Sequence, residues 1–304
     1  MSTGQFRRTR GRGPHVLVAA PRAAPQRVTA QEALRSAAGE LERAGCPSPH
    51  VDAEWLLGHA LGISRTELYA DGVRALEPEE EERVRTLVAR RARREPLAYI
   101  LGEWGFRRLM LKVDRRALIP RPETEVLVER CLALLAGIRE PRVLDIGVGS
   151  GAIALAIADE HPGARVVATD SSPGALELAA DNRARTGLGD RLELVEGDLF
   201  AGLEGPFDLV VSNPPYVAAD EIPSLLPEVR DFEPRAALLA TGLTETLARR
   251  APDLLGAGGA LCLEAADGAA GDVAKLLERL GYLEVTMTCD LAGKERVVDG
   301  RANR

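Results

Sequence analysis

A chain of 304 residues with 45% hydrophobic and 28% charged residues has the composition of a folded globular protein with one large domain or two smaller ones. No uninterrupted apolar run reaches the roughly 18–20 residues of a membrane-spanning helix; the longest candidate, Val143 to Ala158, is broken by Asp145, Ser150 and three glycines. The net charge is −7, yet residues 1–28 carry six arginines and no acid, so removing their +6 leaves −13 on the remainder, a poor electrostatic match to duplex DNA.

The arginine-rich head (1–27) lacks helical periodicity and reads as a disordered, solvated tail, with a transit peptide or an RNA-touching arm as alternatives. Lysine occurs three times against 36 arginines, which reflects genomic base composition rather than function.

From Val28 to Pro96 the pattern is helical throughout. Thr29 followed by Glu32 forms a capping-box pattern, Ala and Leu recur at i, i+3 and i+4, and Gly45 sits at the expected stop. Further amphipathic helices follow, one with acids at its start and arginines at its end, matching the helix dipole. This small bundle carries no sign of catalytic chemistry. Residues 97–118 read as a β-hairpin linker with Gly102 and Gly105 bracketing its turn. A helix then starts behind Pro120 and Pro122.

From Arg142 onward strands and helices alternate as in an open parallel sheet, and Tyr282 to Gly300 reads as an antiparallel edge hairpin turning at Ala292–Gly293. The four cysteines (Cys46, Cys131, Cys262, Cys289) are scattered, and none of the four histidines stands at ligand spacing. That pattern argues against disulfides or a zinc site and fits a reducing cytoplasm.

Ligand-shaped features fall at successive strand ends. Gly147, Val148, Gly149, Ser150 and Gly151 form a glycine loop between strand and helix, where unpaired helix N–H groups and close backbone approach favour a ligand. The loop fits G-x-G-x-G, and Ala152 also satisfies the permissive dinucleotide fingerprint. Asp170 ends the next strand, 19 residues after Gly151; it can accept ribose hydroxyls or cap the following helix. Asp198 and Leu199 end a third strand and suit an adenine amine and one ring face.

Asn213, Pro214, Pro215 and Tyr216 close the fourth strand. Two prolines cannot continue a sheet ladder, so the corner is rigid. Asn213 Oδ1 and the Pro214 carbonyl can each accept one N–H of a planar –NH2 group, aiming its lone pair at an electrophile, while Tyr216 covers one face. Hydride transfer has no use for that corner; methyl transfer to an amide or amino nitrogen has.

The runs REPLAYILGE, LIPRPETE, VLDIGVGSGAIALAIA, GDLF, FDLVVSNPPYV, LPEVRDFEPRAAL and DLAGKERVV together resemble the release-factor glutamine methyltransferases, the PrmC/HemK family, over Thr29 to Val298. The resemblance implies a class I, Rossmann-like seven-stranded sheet with an antiparallel C-terminal edge hairpin, behind a small all-α domain. The implied layout is a tail (1–27), a release-factor recognition domain (28–96), a hairpin linker (97–118) and a methyltransferase domain (119–304). It implies S-adenosylmethionine (SAM) as cofactor, S-adenosylhomocysteine as product, no metal, and the glutamine of the Gly-Gly-Gln motif of peptide chain release factors as substrate.

By the same resemblance Gly147 to Gly151, Asp170, Leu199 and Asn213 are cofactor-binding, and Asn213, Pro214, Pro215 and Tyr216 bind the glutamine. Phe106 and the run Pro120 to Glu125 are expected to line the site mouth. A monomeric, cytoplasmic enzyme without DNA or membrane contact follows. The sequence departs from the family at LATGLTETLA, after Leu238, and at LEAADG. A paralogue acting on another amide, an adenine N6-methyltransferase and a SAM-binding scaffold without catalysis are the other readings.

Overall fold

The computed structural model describes residues 27–70, 72–200 and 202–303; the expectation of a disordered tail falls almost wholly outside them. Five helices come first: α1 (Ala30–Arg43), α2 (Pro49–Leu61), α3 (Arg65–Ala70), α4 (Pro78–Ala92) and α5 (Leu97–Leu101). Thr29 caps α1 through the reciprocal box with Glu32. Ala33, Ala37 and Leu41, four residues apart, share one helix face and bury against Leu56 and Leu57 of α2 and Val84 and Val88 of α4. Each buried leucine of that set contributes about 1.5–3 kcal/mol.

The hairpin β1 (Glu103–Phe106) and β2 (Leu109–Lys112) follows. Its turn is not at Gly102–Gly105. Gly102 instead caps α5 in the left-handed region, its N–H donating to the Ala98 carbonyl, and Gly105 pairs with Met110 inside the strand. Arg107, at φ 53°, makes the turn. A glycine C-cap and a hairpin-turn glycine leave the same local sequence signature, which explains the difference.

The larger unit contains α6 (Pro122–Leu134), β3 (Arg142–Ile146), α7 (Ala152–Glu160), β4 (Arg165–Asp170), α8 (Pro173–Thr186), β5 (Leu192–Glu196) and β6 (Phe207–Ser212). It continues with α9 (Pro227–Arg230), α10 (Leu243–Leu254), β7 (Leu255–Glu264), α11 (Ala270–Arg279), β8 (Leu283–Cys289) and β9 (Glu295–Arg301). The helix α11 was not anticipated from the sequence pattern. The seven-stranded sheet has the order β5-β4-β3-β6-β7-β9-β8. Strands β3 to β7 run parallel, and β9 and β8 close the edge antiparallel.

Period-two alternation sends successive residues to opposite faces. Val143, Leu209, Val211 and Cys262 pack on the face covered by α6, α7 and Ala179 of α8. Leu144, Val210, Leu261 and Leu263 pack on the face covered by α10 and α11. Both faces are buried, which is why these strands read as near-continuous apolar runs. The chain moves outward from β3 to β4 and β5, then returns to place β6 on the other side of β3. This reversal opens a crevice between β3 and β6 at the carboxyl ends, where open α/β sheets take their ligands.

Candidate active site

The glycine loop leaves β3 into that crevice. Gly147, Gly149 and Gly151 have φ of 82°, 54° and 86°, a region that side chains with a Cβ avoid. Added atoms at Gly147 would meet no protein atom within 4 Å, whereas at Gly151 they would lie 3.1 Å from Leu155 Cδ1. Gly147 thus keeps open space above the loop, and Gly151 allows α7 to start close against the chain. The N–H groups of Gly147 and Val148 donate to the Thr169 carbonyl at 2.8 and 2.9 Å.

Asp170, at the end of β4, receives the Gly149 N–H on Oδ2 (3.0 Å) and the Ser172 N–H on Oδ1 (2.9 Å). The helix that follows is capped by Ser172, so Asp170 ties the loop down and leaves capping to its neighbour. Leu199, next to Asp198 beyond β5, is held at φ 55°, backbone strain of order 1–3 kcal/mol at a position that lines the crevice.

Asn213 follows β6 directly. Ser212 Oγ donates to the Ile146 carbonyl at 2.7 Å, which clamps the ends of β3 and β6 together and fixes the Asn213 corner beside the glycine loop. One cavity of about 400 Å³ is lined by Gly147, Asp170, Leu199, Asn213, Pro215 and Thr124, among others, within the range of small-molecule sites. Backbone donors and glycine space at one end, a carboxylate in the middle and an apolar residue beyond it suit a nucleoside-bearing ligand. Val148, Gly149 and Ser150 line the same cavity. Pro214 is buried and Tyr216 is 37% exposed, and neither lines this cavity.

Phe106 does not line the mouth. It is 1% exposed, packed with Leu111, Leu127 and Val128, because its face of β1 turns toward α6. From the Pro120–Glu125 run, Pro120, Arg121 and Thr124 do line the cavity. Arg121 pairs with buried Glu233 at 2.6 Å, whose carboxyl burial pushes above the usual range; Pro234 beside it is also in the wall. Thr241 and Leu243, from the atypical loop after Leu238, complete that wall. The backbone bonds of Val217 to Leu238 and Ala240 hold this loop to the Asn213 segment.

Three residues around the site, Asn182, Glu264 and Asp145, escaped the sequence reading, and Thr124, inside the expected Pro120–Glu125 run, has a bonding role beyond lining the mouth. Asn182, fully buried, donates to the Ser150 carbonyl (2.8 Å) and exchanges bonds with the Lys112 backbone, pinning the hairpin to the glycine loop. Thr124 and Glu264 form a bonded chain to Asn213. Asp145, 0% exposed, has neither carboxylate oxygen hydrogen-bonded. Burial lifts its pKa to about 7, against the pull of the Ala154 N–H at the start of α7. Only the acid before the glycine loop and the Pro120–Glu125 run signalled any of this in the sequence.

A second cavity of about 630 Å³ lies away from the glycine loop, between α2 and the hairpin, with Trp55, Trp104 and Met110 in its wall. Arg91, 4% exposed, bonds both Asp52 and Glu228, and Arg94 also pairs with Glu228. The helical bundle is thereby ion-paired to α9, just beyond the Asn213 corner.

The PrmC N-terminal domain family matches residues 32–102, and the Methyltransferase small domain family matches residues 122–228. A release factor glutamine methyltransferase of Geobacter sulfurreducens is 44% identical over 282 residues, covering 91% of this chain and 98% of that relative. The crystal structure of a protein-(glutamine-N5) methyltransferase (release factor-specific) from Alicyclobacillus acidocaldarius is 31% identical, covering 64% of this chain and 100% of its own, with a TM-score of 0.38. The hMettl16 catalytic domain, 18% identical with a TM-score of 0.55 over 72% of this chain and 82% of its own, shares the fold. With the glycine loop, the acid after β4 and the Asn-Pro-Pro-Tyr corner at one crevice, the chain belongs to the release factor glutamine methyltransferase family.

Proposed function

We propose that this protein transfers a methyl group from SAM to the side-chain amide nitrogen (N5) of the glutamine in the Gly-Gly-Gln motif of peptide chain release factors. The observation that carries the reading is the clamping of the Asn213 corner beside the glycine loop within one cavity. When bound, SAM supplies an electrophilic methyl on a sulfonium. Gly147 to Gly151 would let it approach the backbone closely, Asp170 would accept its ribose hydroxyls, and Leu199 would cover the adenine.

An amide nitrogen is a poor nucleophile because its lone pair is delocalised. Asn213 Oδ1 and the Pro214 carbonyl each accept one of its two N–H bonds, which fixes the –NH2 group and directs the lone pair along the transfer line. Holding reactants in this way converts an entropically costly encounter into a nearly unimolecular step. The rigid Pro214–Pro215 pair keeps that geometry before the substrate arrives, and the Tyr216 ring covers the planar group. As the new N–CH3 bond forms and the old bond to sulfur breaks, the nitrogen loses one proton to solvent, so no dedicated base is needed.

In this reading the helical bundle and hairpin dock the release factor, with Trp55 and Met110, 44% and 54% exposed, offering apolar contact. The enzyme acts as a cytoplasmic monomer. The test is mass spectrometry of an unmodified release factor incubated with the protein and SAM. One added methyl group on the Gly-Gly-Gln glutamine, absent with Asn213→Ala, is expected. SAM binding with no transfer would move the target to another amide, and the Thr241–Leu243 wall would then be the first region to examine.

A further inference from the structure

The Asn213 corner works only if its side chain presents oxygen, not nitrogen, to the substrate. An asparagine amide fits its site in two orientations that differ by a half turn, and nothing in the proline corner chooses between them. The choice is made behind the site. Thr124 Oγ1 donates to Glu264 Oε2 at 2.7 Å, and Asn213 Nδ2 donates to Thr124 Oγ1 at 3.2 Å. Glu264, at the end of β7, is 2% exposed, and Thr124, in the first turn of α6, is 4% exposed.

An ionised carboxylate only accepts hydrogen bonds. The Thr124 hydroxyl hydrogen is therefore committed to Glu264, and what Thr124 has left for Asn213 is a lone pair. That lone pair takes the Asn213 N–H, so Oδ1 faces the other way. We propose that Thr124 and Glu264 are positioning residues, Glu264 acting through the Thr124 hydroxyl to hold the Asn213 amide with Oδ1 toward the substrate nitrogen. This rests on the amide-transfer reading above.

Protonation reverses the polarity. A neutral Glu264 can donate to Thr124, whose hydroxyl then donates to Asn213 Oδ1 and turns the amide. Burial pushes the Glu264 pKa up to about 7, opposed by the Thr124 hydroxyl and raised further by Glu123. Arg296 on β9 and the Asn213 amide pull it down, and Tyr216 faces it from the segment after β6. Activity thus falls as pH drops through that value.

The experiment compares the full chain with Thr124→Val, Thr124→Ser and Glu264→Gln in methyl transfer from SAM to a release factor. Thr124→Val is expected to lower kcat about 10- to 100-fold, the scale of a lost buried hydrogen bond, with the KM for the release factor and the calorimetric Kd for SAM within about twofold. Thr124→Ser restores most of that loss, and Glu264→Gln flattens the acid limb of the kcat profile. Wild-type kcat in Thr124→Val, or an equal loss of SAM affinity, would overturn the proposal.

A second measurement does not need the substrate. The Asn213 side-chain ¹⁵N amide resonance, assigned by its loss in Asn213→Ala, should titrate with a midpoint near 7 in the wild type and stay flat in Glu264→Gln. If the wild type leaves the release factor unmethylated, the substrate reading fails and this titration alone decides. A titrating resonance supports the positioning role, and a flat wild-type resonance refutes it.

Discussion

Replacing Asp145 by asparagine isolates the energetic penalty of a carboxylate buried under the glycine loop. Asp145 is inaccessible and its carboxylate makes no hydrogen bond of good geometry; burial, opposed by the Ala154 N–H and helped by the Asp170 charge, lifts its pKa from 3.8 to about 7. Because the folded value lies above the unfolded one, the proton is held more tightly in the folded state. The group's contribution to stability is therefore complete below pH 3.8 and is lost as pH rises through about 7. Each pH unit over which only the folded state keeps the proton is worth about 1.4 kcal/mol.

Between about pH 6 and about pH 8 the group changes from mostly protonated to mostly ionised in the folded protein, so the wild type loses about 1.4 kcal/mol from this residue. Asparagine is nearly isosteric and cannot ionise. Urea denaturation of both proteins at the two pH values should show Asp145→Asn gaining about 1.4 kcal/mol on the wild type as pH rises. Glu264 carries a loss of the same sign, but it is common to both proteins and cancels in the difference. Parallel pH profiles for the two would refute the argument, since they would mean that the Asp145 carboxyl finds compensation in the folded state.

Three further outcomes are expected. Gly151→Ala places a Cβ at φ 86° and 3.1 Å from Leu155 Cδ1; it should cost about 1–3 kcal/mol of stability and weaken SAM binding measured by calorimetry. Asn182→Ala strips partners from the Ser150 carbonyl and from both Lys112 backbone groups; a destabilisation above about 2 kcal/mol is expected by denaturation, and a value below about 0.5 kcal/mol would contradict the pinning role. Glu228→Gln removes the charge shared by Arg91 and Arg94 and should cost about 2 kcal/mol, whereas breaking the exposed Arg85–Glu81 pair should change the unfolding midpoint hardly at all.

Local physics made much of this protein legible from its sequence. The capping box at Thr29, the glycine loop, the acid 19 residues beyond it and the rigid Asn213 corner are short-range patterns, and each depends on backbone geometry that neighbouring residues determine. The alternation of strands and helices likewise follows from periodicity and turn residues, so the sheet and its edge hairpin could be anticipated.

What only the tertiary structure decided is which of these pieces meet. The return of β6 to the flank of β3 puts Asn213 beside the glycine loop, and the Ser212–Ile146 bond that fixes them joins residues 66 apart. Thr124 and Glu264 lie 140 apart, and no local signal in either predicts the other. Phe106 shows the same limit. An aromatic residue in a short hairpin has one inward and one outward face available, and the packing of β1 against α6, not the residue itself, turned it into the core. Capping, turns and periodicity are settled within a few residues, whereas strand order, facing and hydrogen-bond chains are settled by contacts between distant segments.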